Sequence, residues 1–227
     1  MLISFFKKIQ LPFHNTYRDI WEYQKAFLEG RIDFHRFIGA QCPLCGKGGC
    51  YRQIKEYYRF AIELFPFKKA KVPIARLLCK TTQRTFSLLP HQLIPYCQYT
   101  LAAMTQTLLR AHEFQQAGYK GFYHAAGELH PDCDVSPWLV YRWLSIFIIG
   151  FRRAHHLLAV RFALWDIGPR ITQKESTACI MPYLSAVAAD KAAPLAKDII
   201  SVVIWYGNRT KSHLFGTPSC QRPVKKS

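Results

Sequence analysis

The chain has 227 residues, half of them hydrophobic and 15% aromatic, which excludes a disordered polyelectrolyte too poor in apolar surface to offset chain entropy. Thirty-one Lys and Arg against 14 Asp and Glu give a formal charge of +17. That surplus favours a polyanionic partner, with nucleic acid ahead of an anionic membrane or an acidic protein.

Met1 to Lys8 places a very short apolar run before its lysines, the reverse of a secretory leader. The apolar stretches Leu144–Phe151 and Ile199–Tyr206 fall short of a bilayer span, so no membrane insertion is expected. Eight cysteines without a leader point to a reducing, cytoplasmic compartment rather than a disulfide scaffold.

Residues 15–38 carry Tyr17, Ile20, Trp21, Phe27, Leu28, Phe34 and Phe37 at helical spacing, with Gly30 as an interruption. Residues 40–52 form a loop: Cys42-Pro-Leu-Cys45-Gly46-Lys47-Gly48-Gly49-Cys50 has three glycines and a proline for a tight turn. Tyr57 to Phe65 and Val72 to Cys79 then predict a hairpin, with Pro73 on an edge or at a strand start. Phe86–Pro90 and Ile94-Pro95-Tyr96 read as a punctuated apolar connector.

From Tyr99 to Gly118 an apolar stripe of Leu101, Met104, Leu108 and Leu109 predicts a helix. A short helix around 119–129 and a turn at Pro131-Asp132 follow. Ser136-Pro137 opens the next helix, Ser as N-cap and Pro at the first helical position; it runs to about residue 149. His155 to Trp165 reads as another helix, stopped by Gly168-Pro169, and 176–190 with 194–206 as a helical pair before a basic tail. The expected fold class is α+β, a small zinc-ribbon-like hairpin knuckle plus a mainly α-helical domain containing a helix-turn-helix. Its segments are 1–38, 39–95, 96–168 and 169–227.

Cys42 and Cys45 with the later Cys79 are three candidate metal ligands. Zinc takes four soft donors in a tetrahedron, usually two per turn. The second turn reads Cys79-Lys80-Thr81-Thr82, so the fourth thiolate is absent where spacing wants it. Cys50 and His35 are substitutes at the wrong spacing. Bound zinc and a knuckle that keeps its fold without metal both remain open. Cys97, Cys133 and Cys179 read as small core residues.

Cys42-Pro-Leu-Cys45-Gly46, the basic hairpin, Arg76-Leu-Leu-Cys79-Lys-Thr-Thr82-Gln-Arg84-Thr-Phe-Ser-Leu-Leu-Pro90 and Ile94-Pro-Tyr96-x-x-Tyr99 together resemble a family of prokaryotic transposase-related proteins with an N-terminal zinc-binding domain. The resemblance covers roughly residues 40–148. It implies two Cys-x-x-Cys knuckles around a basic two-stranded segment, then a helix-turn-helix; Thr82 departs from that pattern.

The basic residues around the hairpin are Lys47, Arg52, Lys55, Arg59, Lys68, Lys69, Lys71, Arg76, Lys80 and Arg84, against Glu56 and Glu63. With Tyr51, Tyr57 and Tyr58 between them they are candidates to hold phosphates, and stacking would favour single strands. On the 136–149 helix, Ser136, Tyr141 and Arg142 are candidates for an outer, DNA-reading face, and Trp138, Leu139, Trp143 and Leu144 for the inner one. A plain core helix with a solvated Arg142 is the competing reading. Arg152 and Arg153, beside His155 and His156, form a second basic cluster.

The acidic residues do not mark a catalytic triad: Asp132, Asp166 and Glu175 carry no sign of strand ends, and no phosphate-gripping glycine loop or catalytic motif appears. The sequence therefore points to a DNA-binding protein related to transposases, a transposon accessory or regulatory factor. The alternatives are a structural or protein-interaction subunit, with a protein partner or a second copy, and a shortened Mg²⁺-dependent transposase.

Overall fold

The computed structural model describes residues 9–13, 17, 19–38, 40–162, 180, 195–210 and 213–215. In chain order they form strand β1 (Ile9–Phe13), helices α1 (Ile20–Leu28) and α2 (Phe34–Ile38), and strands β2 (Tyr51–Leu64), β3 (Phe67–Cys79) and β4 (Thr85–Pro90). Helices α3 (Leu101–Gln116), α4 (Gly121–Gly127), α5 (Pro137–Phe162) and α6 (Leu195–Thr210) follow. The fold is mixed α+β, a four-stranded sheet in the order β1-β4-β3-β2 with several helices.

Helix α1 starts where Asp19 accepts hydrogen bonds from the Trp21 and Glu22 amides at 2.9 Å each, satisfying two of the orphan donors of a first turn. It ends at Gly30, whose φ of +68° suits a glycine. The 15–38 pattern is thus two helices, divided at the expected glycine.

The hairpin of β2 and β3 turns at Phe65-Pro66, a cis peptide bond, and keeps one register except for a bulge between Ile54 and Tyr57. Strand β4 pairs only with Ala75–Leu78 of β3. Pro73 therefore lies beyond the reach of β4, where its missing N–H breaks no ladder. Helix α1 covers that unpaired stretch: the Tyr23 hydroxyl donates to the Pro73 carbonyl at 2.9 Å and Gln24 Nε2 to the Lys71 carbonyl at 2.8 Å.

Phe86–Pro90 is not a connector. It is most of β4, buried along its whole length between antiparallel β3 and parallel β1. A central strand covered on both faces carries apolar residues at successive positions, so the alternation that marks a half-buried strand disappears.

Two hydrophobic clusters form. One joins Ile20 and Tyr23 of α1 to Val72, Ile74, Leu77, Phe86 and Leu89 of the sheet. The other gathers Leu101, Met104, Val140, Trp143, Phe147, Phe151 and Val203 from the helices and reaches Ile62 and Leu64 at the hairpin tip. Backbone bonds tie the two: the Ile62 amide donates to the Gln98 carbonyl at 2.9 Å and the Thr100 amide to the Ile62 carbonyl at 3.0 Å.

Ser136 and Pro137 open α5 as expected, the Ser136 hydroxyl accepting from the Leu139 amide at 3.2 Å. The helix then continues without a break through the expected boundary near 149 to Phe162. Gly150 lies inside it. A Cβ there would collide with Phe215 Cδ1 and sit 3.1 Å from the Leu214 carbonyl oxygen, so the glycine admits a close approach rather than a helix end. Gly150→Ala is expected to lower stability by about 1–3 kcal/mol through overpacking, read from denaturant midpoints; an unchanged midpoint refutes the tight contact. Apart from the buried Ile180, the helix expected over 176–190 falls outside the described residues, as does the Gly168-Pro169 stop. Among the described residues, no helix is long and apolar enough to cross a membrane.

Candidate functional site

The first knuckle is built by its glycines. The Cys42 amide donates to the Lys47 carbonyl at 2.9 Å and the Gly46 amide to the Cys42 carbonyl at 2.8 Å. Gly46 and Gly49 take φ values of +74° and +62°, which a side chain would strain. This turn aims Cys42 and Cys45 towards the open end of the hairpin. There Cys50 immediately precedes β2 and Cys79 ends β3; Tyr51 pairs with Cys79, and the Lys80 amide donates to the Cys50 carbonyl at 2.7 Å.

The Sγ atoms of Cys42, Cys45, Cys50 and Cys79 all lie within 4.8 Å of one another. Cys45 and Cys50 are 3.1 Å apart, Cys50 and Cys79 3.7 Å, too long for S–S bonds of about 2.05 Å. Zinc–sulfur bonds of about 2.3 Å in a tetrahedron place the sulfurs about 3.8 Å apart. Both the donor set and its spacing fit a thiophilic ion with every position filled by protein.

The expectation of a missing fourth thiol is therefore corrected: Cys50 brings the fourth sulfur to the cluster. Thr82 instead donates its amide to Cys79 Sγ at 3.4 Å. His35 stacks on Tyr51, ring centroids 5.3 Å apart, and stands outside the sulfur cluster. Cys50 escapes a count of residue spacings because hairpin register, not a second Cys-x-x-Cys turn, carries it to Cys79.

The four sulfurs do not hold protons equally. At Cys79 burial pushes the thiol up, but the Thr82 hydrogen bonds with Cys45 and Cys50 outweigh it and bring the group down to about 6. Cys45 is lowered by its bond with Cys50 and then by the Lys47 backbone. Cys50 is driven up by burial and by the neighbouring thiols. A metal would displace the retained protons, since only the thiolate coordinates.

Along the hairpin and the turn after it, Arg52, Lys55, Lys68, Lys69, Lys71, Lys80 and Arg84 are exposed and Arg76 is half-buried. Arg59 differs: its Nη2 donates to the Ile94 carbonyl at 3.0 Å, and burial lowers its basicity. It locks the 91–97 segment to the sheet rather than facing solvent. Among the described residues, no carboxylate lies in ion-pair range of these basic groups; the Arg–carboxylate pairs join Arg31 to Glu29 and Arg110 to Glu113 and Glu128. Glu63 accepts from the Thr100 hydroxyl at 2.8 Å, and burial raises its carboxyl.

The three tyrosines separate. Tyr51 is buried against Phe86 and Tyr57 accepts from Gln10 Nε2 at 3.2 Å, whereas Tyr58 is 51% exposed. Phe60, absent from the sequence-based candidates, is 36% exposed, with Lys69 and Lys71 Nζ 5.0 and 5.4 Å from its ring centre. Lys68 lies 4.4 Å over the Trp21 ring.

On α5, Trp143 and Leu144 are buried and Leu139 half-buried, but Trp138 is not on the inner face. It is 65% exposed, with the Arg142 guanidinium 5.6 Å over its ring. Ser136 is engaged as the cap, and Tyr141 packs edge-on to Phe122 at 5.9 Å. Arg152, Arg153 and His155 are half-buried. At Cys97 burial raises the thiol while the charges of Arg59 and Arg142 oppose it. Of the acids weighed for catalysis, Asp132 is exposed with His130 Nδ1 3.7 Å away, and Asp166 and Glu175 lie outside the described residues.

Comparison of the chain with protein-family models, curated proteins and solved structures gives no match in any of the three.

Proposed function

We propose that this is a DNA-binding protein whose β2–β3 hairpin, clamped at its open end by a zinc ion on Cys42, Cys45, Cys50 and Cys79, grips the phosphate backbone. In this reading it is related to transposases and acts as an accessory or regulatory factor of a mobile element. One observation carries it: Arg52, Lys55, Lys68, Lys69, Lys71, Lys80 and Arg84 are all exposed along one hairpin and its following turn. Fixed like charges held close together repel one another, and a polyanion relieves that repulsion while releasing counterions.

Zinc here is structural. Four protein thiolates leave no open position for water or substrate, so the ion would fix the angle between the knuckle and the two strands. Arg142 and Trp138, at the exposed start of α5, would add a second contact, with α3 and α5 in the roles of a helix-turn-helix and α4 between them.

The test is equilibrium binding of a fluorescent duplex over a range of salt. Affinity should fall steeply, with the log–log slope set by the phosphates neutralised at about 0.9 per contact. Replacing Lys68, Lys69 and Lys71 together by alanine should reduce that slope by about 3. Binding that is absent, or flat with salt, for duplex and single-stranded DNA alike overturns the reading.

A further inference from the structure

We infer that the exposed face of the β2–β3 hairpin is a base-stacking platform, so that the preferred ligand is single-stranded nucleic acid rather than duplex. The inference rests on the nucleic-acid reading above and narrows it.

Tyr58 and Phe60 lie two residues apart on β2, beyond the bulge, and pair with Pro73 and Lys71 of β3. Strand alternation puts both side chains on one face, their backbone positions about 7 Å apart. Lys69 and Lys71 occupy that face as well, since both ammonium groups lie over Phe60. The opposite face is closed: Val72 and Ile74 are buried with Ile20 and Tyr23 of α1.

Large exposed aromatics on a long edge strand invite non-specific association, so their presence beside lysines calls for a ligand that uses both. Bases in a duplex repeat every 3.4 Å or so along each strand with their faces hidden in the stack. Aromatic side chains spaced by about 7 Å along the strand suit bases already unstacked, each offering a free π-face. The ammonium groups of Lys69 and Lys71, which lie over the Phe60 ring, are exposed to the backbone phosphates of such a strand. Flat rings supply sequence-tolerant affinity and the ammonium groups supply charge complementarity. A duplex could use only the second.

Binding of the full zinc-loaded chain to an oligothymidylate of about 16 nucleotides and to a mixed-sequence duplex should be measured at several salt concentrations. The single strand should bind more tightly. Tyr58→Ala and Phe60→Ala should each weaken it by about 5- to 150-fold, the range that stacking one base implies, while duplex binding stays unchanged. Phe60→Trp should retain single-strand affinity, and Lys69→Ala should weaken both ligands. Salt-dependent duplex binding with single-strand affinity indifferent to both alanine variants overturns this inference but leaves the DNA-binding reading standing. So does a Tyr58→Ala variant that dissolves a dimer, seen by light scattering, without changing single-strand affinity. Absence of salt-dependent binding to either probe overturns both.

Discussion

Replacing Cys50 by alanine should strip the metal as completely as replacing Cys42. Elemental analysis of the wild-type chain should find one zinc, and the Cys50→Ala and Cys42→Ala variants should find close to none. The expectation follows from geometry alone, because all four sulfurs share one cluster within 4.8 Å and a tetrahedral ion deprived of one thiolate loses a quarter of its bonds. Structural zinc sites contribute about 10–16 kcal/mol in isolated finger peptides, comparable with the whole stability of a domain, about 5–15 kcal/mol. The open end of the hairpin should therefore unravel in the variant or in chelator, with loss of protection at the Cys79 and Lys80 amides, which now donate to the Arg84 and Cys50 carbonyls. Thr82→Cys should leave the stoichiometry at one, since a fifth sulfur has no vacant position to fill. Zinc retained at one per chain in Cys50→Ala would show that Cys50 is not a ligand.

The same cysteine shows where sequence reasoning reaches its limit. The hairpin, the Ser136-Pro137 start of α5 and the Gly30 break are local features, written into residues that contact their own neighbours, and each is legible. Cys50 is visible in the sequence only as a substitute ligand at the wrong spacing, along with His35. Its partner lies 29 residues on, and only the β2–β3 register brings the two together. Strand β4 reads as a connector for a related reason: burial on both faces erases the alternation that identifies a strand. Trp138 falls on the wrong face because hydrophobicity at helical spacing suggests an inner position, whereas the exposed ring is covered in part by a guanidinium one turn along. Phe60 goes unmarked because a single aromatic in a strand gives no sign of which face is solvated. Its exposure depends on α1 packing against the other side, a tertiary fact.

Acid should weaken the protein through His213, a residue that no motif marks. It is buried, accepts the Phe215 amide at Nδ1 at 3.1 Å, and lies 3.1 Å from the Leu93 carbonyl through Nε2. With Nδ1 accepting, the proton of the neutral ring sits on Nε2 and is donated to Leu93. Burial drives the imidazole down to about 3, opposed by the Leu93 bond and reinforced by the charges of Arg59, Arg153 and His91. In the unfolded chain the ring titrates near its ordinary 6.5, so between about 6.5 and 3 the unfolded state binds a proton that the folded state refuses. Stability is thus full above about pH 6.5 and declines below it. At about 1.4 kcal/mol per pH unit, the loss reaches roughly 2 kcal/mol by about pH 5. Protonation of the sulfur cluster acts in the same direction, so the histidine is isolated by difference. His213→Gln, which has no titrating group but keeps a donor and an acceptor, should show a shallower decline than wild type in denaturant titrations from about pH 7.5 to 5. Parallel curves would mean that His213 titrates alike in both states. A converging pair would show that the folded protein holds His213 neutral in its buried position, where Nε2 meets the Leu93 carbonyl after β4.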